Sequence, residues 1–224
     1  MAASRFDVVA FDLDGTLADT ADDLAAALNY ALVLADRAPL GLETVRAMVG
    51  HGTRALMRKG LAATGDVTEA LVDASLPDLT NFYAANICTA TTGYPGVEQA
   101  LDMLAEQGSR LAVCTNKPER LATMLVEALG WTDRFAAVIG GDTLAFTKPD
   151  PAMLHAAISR AGGGRAAYVG DSITDADTAR AAAIPFVAVS FGFLDRPVGE
   201  LGAAAVIDHY DELPAALASL VRVT

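Results

Sequence analysis

Residues 8–11 read Val-Val-Ala-Phe and then break at once into Asp12-Leu13-Asp14-Gly15-Thr16. A short β-branched run without alternation is the pattern of a strand buried on both faces, as in a parallel sheet covered by helices. Open sheets of that kind place their ligands just past the carboxyl ends of the strands, which is where these two carboxylates fall. Asp12 and Asp14 are two residues apart, so in extended backbone both point to one side. Like charges held that close repel unless a cation or a proton settles them. Gly15 permits a sharp turn there, and Thr16 adds a hydroxyl.

The text then changes character. Ala/Leu-rich periodicity predicts a helix over 19–36, with Leu24, Leu28 and Ala31 on one face. Asp22 and Asp23 suit its first turn. Further helices are expected over 42–49, over 54–63 with Thr53 as cap, and over 67–89. From Gly93 onward strands and helices alternate. Strands are expected at 111–115, 136–140, 166–170, 186–190 and 204–207. Helices are expected over 97–107, from Asn116-Lys117-Pro118 to 129, over 151–159, over 175–183 and over 211–221. This alternation predicts an α/β fold, a doubly wound parallel sheet with right-handed crossovers. Residues 1–17 and 92–224 would form a discontinuous Rossmann-like core. Residues 18–91 would be a helical insert leaving the sheet at its reactive rim, well placed as a lid.

The chain has 224 residues, 53% of them hydrophobic, and a formal net charge of −12. That is ample for a core, while no apolar run reaches the ~18 residues of a membrane helix. No Lys/Arg cluster stands out, which argues against nucleic acid or an anionic membrane as partner. Residues 1–7 run straight into the first strand, with neither the basic nor the apolar segment of a secretion leader. Two cysteines, Cys88 and Cys114, make no disulfide framework and have no metal-site spacing. A cytoplasmic protein, monomer or homodimer, is the expectation.

Four polar features fall at the ends of different expected strands: Asp12/Asp14, Thr115-Asn116, Lys148 and Asp171, with Asp175 one helical turn beyond. The string Phe-Asp-Leu-Asp-Gly-Thr-Leu resembles the first motif of the haloacid dehalogenase superfamily in its phosphatase form. The other three features match that family's remaining motifs in order. The resemblance implies a small phosphorylated metabolite as substrate and Mg²⁺ as cofactor, held by Asp12, the Asp14 backbone carbonyl and Asp171, with Asp175 behind them. It makes Asp12 the nucleophile that forms an aspartyl-phosphate, and Asp14 the general acid and base. Thr115, the Asn116 amide and Lys148 would bind the phosphoryl oxygens. Asp14 separates a phosphatase or sugar phosphomutase from the halide- and phosphonate-cleaving branches, which have another residue at that place.

Thr115-Asn116-Lys117-Pro118, Tyr94-Pro95-Gly96-Val97 and Gly50-His51-Gly52 are similar to the phosphoglycolate phosphatase branch. His51, Gly52 and Arg54 are therefore candidates for substrate contact from the insert. His51, Arg54 and Arg58 can share one helical face, where an arginine could pair with a carboxylate. They could equally form a solvated basic face. Ala183, where the family often has glycine, reads as a packing position. Sugar-phosphate phosphatases and mutases of the same family are alternatives. A phospho-acceptor switch would use a similar set of acidic, Thr and Lys residues, but has no helical insert and carries its phosphorylated Asp on a later strand.

Overall fold

In a computed structural model that describes residues 6–221, six parallel strands form one sheet: β1 (Val8–Phe11), β4 (Arg110–Cys114), β5 (Phe135–Ile139), β6 (Ala166–Gly170), β7 (Phe186–Val189) and β8 (Ala205–Ile207). Between them in the chain lie β2 (Ala18–Asp19) and β3 (Thr92–Gly93), which pair only with each other. The sheet order is β5-β4-β1-β6-β7-β8, the doubly wound α/β arrangement expected. The chain winds outward from β1 to β5, then crosses back to β6. The switch point therefore lies between β1 and β6, where such sheets put their ligands. Residues 1–5, read above as part of a leaderless start, lie outside the described residues.

The unalternating apolar run of β1 has its explanation in two cores. Val9 and Phe11 enter a core with α5 (Val97–Glu106), α6 (Glu119–Ala128) and α9 (Leu213–Val221). Val8 and Ala10 enter another with α7 (Pro151–Arg160) and α8 (Ile173–Ala181). A strand covered on both faces has no solvent side, so it carries no polar alternation.

A third core belongs to the stretch between β2 and β3. There α1 (Ala21–Leu34), α2 (Leu42–Arg46), α3 (Thr53–Thr64) and α4 (Glu69–Ala85) pack Leu28, Leu32, Leu61 and Leu79 out of solvent. Each such side chain contributes roughly 1.5–3 kcal/mol. Leu121 of α6 joins this cluster. Ala18 opposes Gly93 and Asp19 opposes Thr92, so the helical stretch leaves and returns at one narrow neck. Asp23, expected merely to favour the first turn of α1, instead ties this neck. Its buried carboxylate accepts from the backbone N–H groups of Thr89, Ala90 and Thr91 and from the Thr91 hydroxyl. That is why the helix expected to reach 89 stops at Ala85.

Several other ends differ from expectation. Thr53 lies inside α3, and the helix is preceded by Gly52 with no side-chain cap. Pro118 sits before α6 rather than within it. The eighth helix starts earlier than 175, because Ser172 and Asp175 form a reciprocal capping box. Ala183 is not simply a packing position. It follows α8 with φ +55°. Its N–H donates to the Arg180 carbonyl, and that of Ile184 to the Ala179 carbonyl. This is the left-handed helix terminus that favours glycine, where an alanine costs about 1 kcal/mol.

Candidate active site

Asp12 follows β1 with its backbone still in the sheet: its N–H donates to the Val169 carbonyl at 2.9 Å. Gly15 then turns the chain with φ +82°. A Cβ on Gly15 would lie 2.4 Å from Asp171 Oδ2, so the turn brings the first motif hard against the last. Thr16 Oγ1 donates to Asp171 Oδ1 at 2.9 Å, and the Phe193 N–H donates to Asp171 Oδ2 at 2.6 Å. The hydroxyl of the first motif thereby orients the carboxylate of the fourth.

Lys148 is the electrostatic hub. Its Nζ lies 2.9 Å from Asp12 Oδ1 and 2.7 Å from Asp175 Oδ1. It also donates to the Tyr168 hydroxyl at 3.0 Å. The single proton of the Tyr168 hydroxyl has two acceptors in reach, Asp175 Oδ1 at 2.8 Å and the Cys114 carbonyl at 2.9 Å. Burial would lower the Lys148 pKa, but the Asp12 and Asp175 carboxylates hold it well above the ordinary lysine value. Burial also works against an ionised Asp175, yet the Lys148 charge and hydrogen bonds from Lys148, Ser172 and Tyr168 bring its pKa below the usual carboxylate value.

Asp12 is different. Its Oδ1 forms an ion pair with Lys148 at 2.9 Å, while the well-aligned hydrogen bonds of that lysine go to Asp175 and Tyr168. Burial, opposed by Lys148 and reinforced by Asp175 and Asp14, pushes the Asp12 carboxyl up to about 6. Burial, with the Asp175 and Asp12 carboxylates beside it, pushes Asp171 well above its ordinary value. An oxygen buried without a hydrogen bond costs free energy unless something else satisfies it.

Asp12, Asp171 and Asp175 each offer one oxygen, all within 4.8 Å of one another. An all-oxygen set of buried carboxylates suits a hard divalent cation such as Mg²⁺. Asp175 is already engaged by Lys148, Tyr168 and Ser172. Asp12 and Asp171 are thus better suited to face an ion, with Asp175 orienting them.

Asp14 accepts from Thr20 Oγ1 at 2.8 Å and from Lys117 Nζ at 2.7 Å. Lys117 also donates to the Tyr83 hydroxyl at 2.8 Å, and α4 carries that tyrosine across from the helical stretch. Burial opposes the Lys117 charge, yet Asp14 and Tyr83 push its pKa up to about 12. Tyr83 and Tyr168 were not singled out in the sequence, and Lys117 entered only within the string Thr115-Asn116-Lys117-Pro118, with no role of its own. The only local sign was that Lys117 directly follows Thr115-Asn116 at a strand end.

Asn116 ties three segments together. Its Oδ1 accepts from the Lys148 N–H at 2.9 Å, and its Nδ2 donates to the Gly50 and Lys148 carbonyls. A Cβ on Gly52 would lie 2.8 Å from the Asn116 carbonyl oxygen, so the 50–52 loop rests directly on the loop after β4. Together these segments line a cleft walled by Asp12, Asp14, Thr115 and Lys117 from the sheet rim and by Gly50, Gly52 and Thr53 from the helical stretch.

The structure thus brings Asp12, Asp14, Thr115, Asn116, Lys148, Asp171 and Asp175 to one rim, with Gly52 facing it. His51 is exposed and, like Arg54, does not line the cleft. Arg54 and Arg58 are committed elsewhere. Arg54 pairs with Glu69 and Asp73, and Arg58 makes two hydrogen bonds to Glu69. Arg58 and Arg54 hold the exposed Glu69 carboxyl down at about 2. Arg54, expected to meet a substrate carboxylate, is turned instead toward two acidic residues one turn apart on α4.

A doubly wound sheet with paired carboxylates after its first strand and a lysine–aspartate pair at the switch point defines a hydrolase of the haloacid dehalogenase-like family, and the chain belongs to it. The family description, haloacid dehalogenase-like hydrolase, matches residues 9–189. A protein named phosphoglycolate phosphatase from Mesorhizobium japonicum is 46% identical over 96% of this chain and 96% of its own length. One of the same name from Caulobacter vibrioides is 43% identical over 95% and 91%. Among solved structures, a predicted phosphoglycolate phosphatase from Haemophilus somnus superposes with a TM-score of 0.88 at 27% identity, covering 94% of this chain and 97% of that one. Family membership sets aside the phospho-acceptor switch.

Proposed function

We propose that this enzyme hydrolyses 2-phosphoglycolate through an aspartyl-phosphate on Asp12, with Mg²⁺ at the acidic cluster. The observation that carries this reading is the state of Asp12. It is a buried carboxylate lining the cleft, paired with Lys148 at 2.9 Å but without a well-aligned hydrogen bond on that oxygen. A nucleophile must be held in place without its attacking electrons being tied up in hydrogen bonds. The substrate assignment is supported by the relatives' shared name and by the 50–52 loop that faces the cleft.

Asp12 and Asp171 would hold the ion, together with the Asp14 backbone carbonyl. When bound, the ion neutralises charge on the phosphoryl oxygens and on the attacking carboxylate. Lys148 keeps Asp12 ionised and aligned. Thr115 and the Asn116 amide hold phosphoryl oxygens as charge shifts among them. Asp14, held by Thr20 and Lys117, gives a proton to the leaving alkoxide. It then takes one from the water that cleaves the acyl phosphate. The stretch 18–91 acts as a cap that closes over the rim and excludes bulk water, hinged at the β2–β3 neck. With Cys88 and Cys114 as free thiols, a cytoplasmic enzyme is the natural assignment. No helix among the described residues is long and apolar enough to cross a membrane.

Metal removal tests this reading. Turnover of 2-phosphoglycolate should cease in EDTA and return with Mg²⁺. Ca²⁺ should inhibit, because it prefers longer bonds and more ligands and so draws the second Asp12 oxygen onto the ion. The melting temperature gives an independent readout. In the metal-free protein Asp12 titrates near 6 when folded, against 3.8 for an ordinary aspartate. Between those values the folded state holds more protons than the unfolded, so stability falls as pH rises through that window. Mg²⁺ binds the ionised carboxylates and adds stability by mass action. Its upward shift of Tm should therefore be larger at pH 7.5 than at pH 5. Full turnover in EDTA, or an equal shift at both pH values, would contradict the assignment.

A further inference from the structure

We propose that Lys117, and not an arginine of α3, is the residue that recognises the substrate's carboxylate. The inference rests on the reading of 2-phosphoglycolate as substrate and deepens it. Among the described residues that line the cleft, Lys117 is the one cation. It is buried, lying beneath Tyr83 with its Nζ 4.3 Å from the ring centroid. Two of its three N–H donors go to Asp14 and to the Tyr83 hydroxyl. The third makes no hydrogen bond to another described residue. A buried ammonium with a donor to spare, walling a cleft, is a ready site for an anion.

The chemistry of the substrate fixes where that anion falls. In a 2-phosphoglycolate the carboxylate is attached to the carbon that bears the leaving oxygen. It can therefore be no more than a few ångströms from that oxygen. Asp14 must lie within hydrogen-bond reach of the leaving oxygen, about 2.6–3.2 Å, to protonate it. Lys117 Nζ is 2.7 Å from Asp14 Oδ1. The group that protonates the leaving oxygen and the cation beside it are thus spaced like the oxygen and the carboxylate of a 2-hydroxy acid. A monoester whose anion lay further along its chain would overshoot Lys117. Leu24 and Leu56, which also line the cleft, would cover the intervening methylene. Tyr83 brings a contribution from α4, so that cap and core together complete the subsite.

Because Lys117 touches Asp14, its loss will slow turnover of any monoester, and the informative quantity is selectivity. The ratio of kcat/KM for 2-phosphoglycolate to that for ethyl phosphate is to be measured with Mg²⁺ in wild type and in Lys117→Met, Lys117→Arg and Arg54→Ala. Wild type should prefer phosphoglycolate. Lys117→Met should lower the ratio by roughly tenfold to a hundredfold, the range of one charge-assisted hydrogen bond. Lys117→Arg should keep most of the preference, and Arg54→Ala should leave the ratio unchanged. Should the methionine variant fail to fold, Lys117→Gln retains hydrogen bonding to Asp14 and Tyr83 without the charge, and its ratio should fall likewise. If both rates drop in the Lys117 variants at constant ratio, Lys117 only positions Asp14 and the inference is overturned. A fall in the ratio for Arg54→Ala would overturn it in favour of the arginine. A wild type without preference for phosphoglycolate overturns the substrate reading itself, before any variant is compared.

Discussion

Asp12→Asn is expected to abolish nearly all turnover, by about a thousandfold or more, while raising the melting temperature of the metal-free protein at pH 7.5. The two effects share one cause. The wild-type carboxylate is buried, has an oxygen without a hydrogen bond and titrates near 6, so at pH 7.5 the folded metal-free protein holds a charge its surroundings disfavour. An asparagine of the same shape removes that charge. It also removes the nucleophile and one ligand of the proposed ion. Lys148 keeps Asp175 at 2.7 Å as its counter-charge, so it is not stranded. Stability traded for reactivity is a common signature of catalytic groups. Paired assays of hydrolysis and thermal melting in EDTA check both halves. Activity within tenfold of wild type would remove Asp12 from the nucleophile's role. A lowered Tm would mean that the Lys148 pair outweighs the burial of Asp12.

Lys148→Met should do the reverse and lose activity and stability together. The ammonium is the shared counter-charge of Asp12 and Asp175, and its side chain is 1% exposed. Taking away one partner of a buried ion pair leaves an uncompensated charge and costs about 3–5 kcal/mol. For a chain of this size that lowers Tm by roughly 6–20 °C. The cost should shrink as pH falls. Without the lysine, both carboxyls titrate higher in the folded protein than in the unfolded one. Folded carboxyls of raised pKa become harmless once protonated, so the gap between wild type and variant should narrow as pH falls from 8 to 5. Adding Asp12→Asn to Lys148→Met should return part of the lost stability, a non-additivity measurable as a double-mutant cycle. Equal deficits at pH 5 and pH 8 would mean that lost packing, not charge, explains the damage.

What was legible in the sequence follows from what each signal encodes. Asp12, Asp14, Asp171 and Lys148 stood at the ends of apolar runs or in the loops that follow them, and a parallel sheet collects such positions at one rim whatever the loops do. Asp175 followed from helical spacing after Asp171. Lys117 and Tyr83 were not legible, because their contact spans 34 positions and joins a strand-end loop to a helix of the insert. A lysine before a proline looks like a solvated turn residue until the cap is docked. Tyr168 read simply as a strand residue, and only the docking of α8 brings Asp175 to its hydroxyl. Periodicity placed Arg54 and Arg58 on one face of α3 but did not say which way that face looks. Glu69 and Asp73 of α4, themselves one turn apart, decided it. Ala183 shows the limit at a single residue: its backbone conformation, φ +55°, is not written in its own side chain.

The central claim, that Asp12 carries the phosphoryl group of 2-phosphoglycolate during turnover, is tested most directly by acid-quenching the wild-type enzyme with Mg²⁺ and excess substrate and mapping the chain by peptide mass spectrometry. The account predicts a phosphate adduct on the peptide containing Asp12, labile to hydroxylamine as an acyl phosphate is, and absent from Asp12→Asn. Turnover of 2-phosphoglycolate with no adduct, with the adduct on another residue, or no turnover at all, would contradict it.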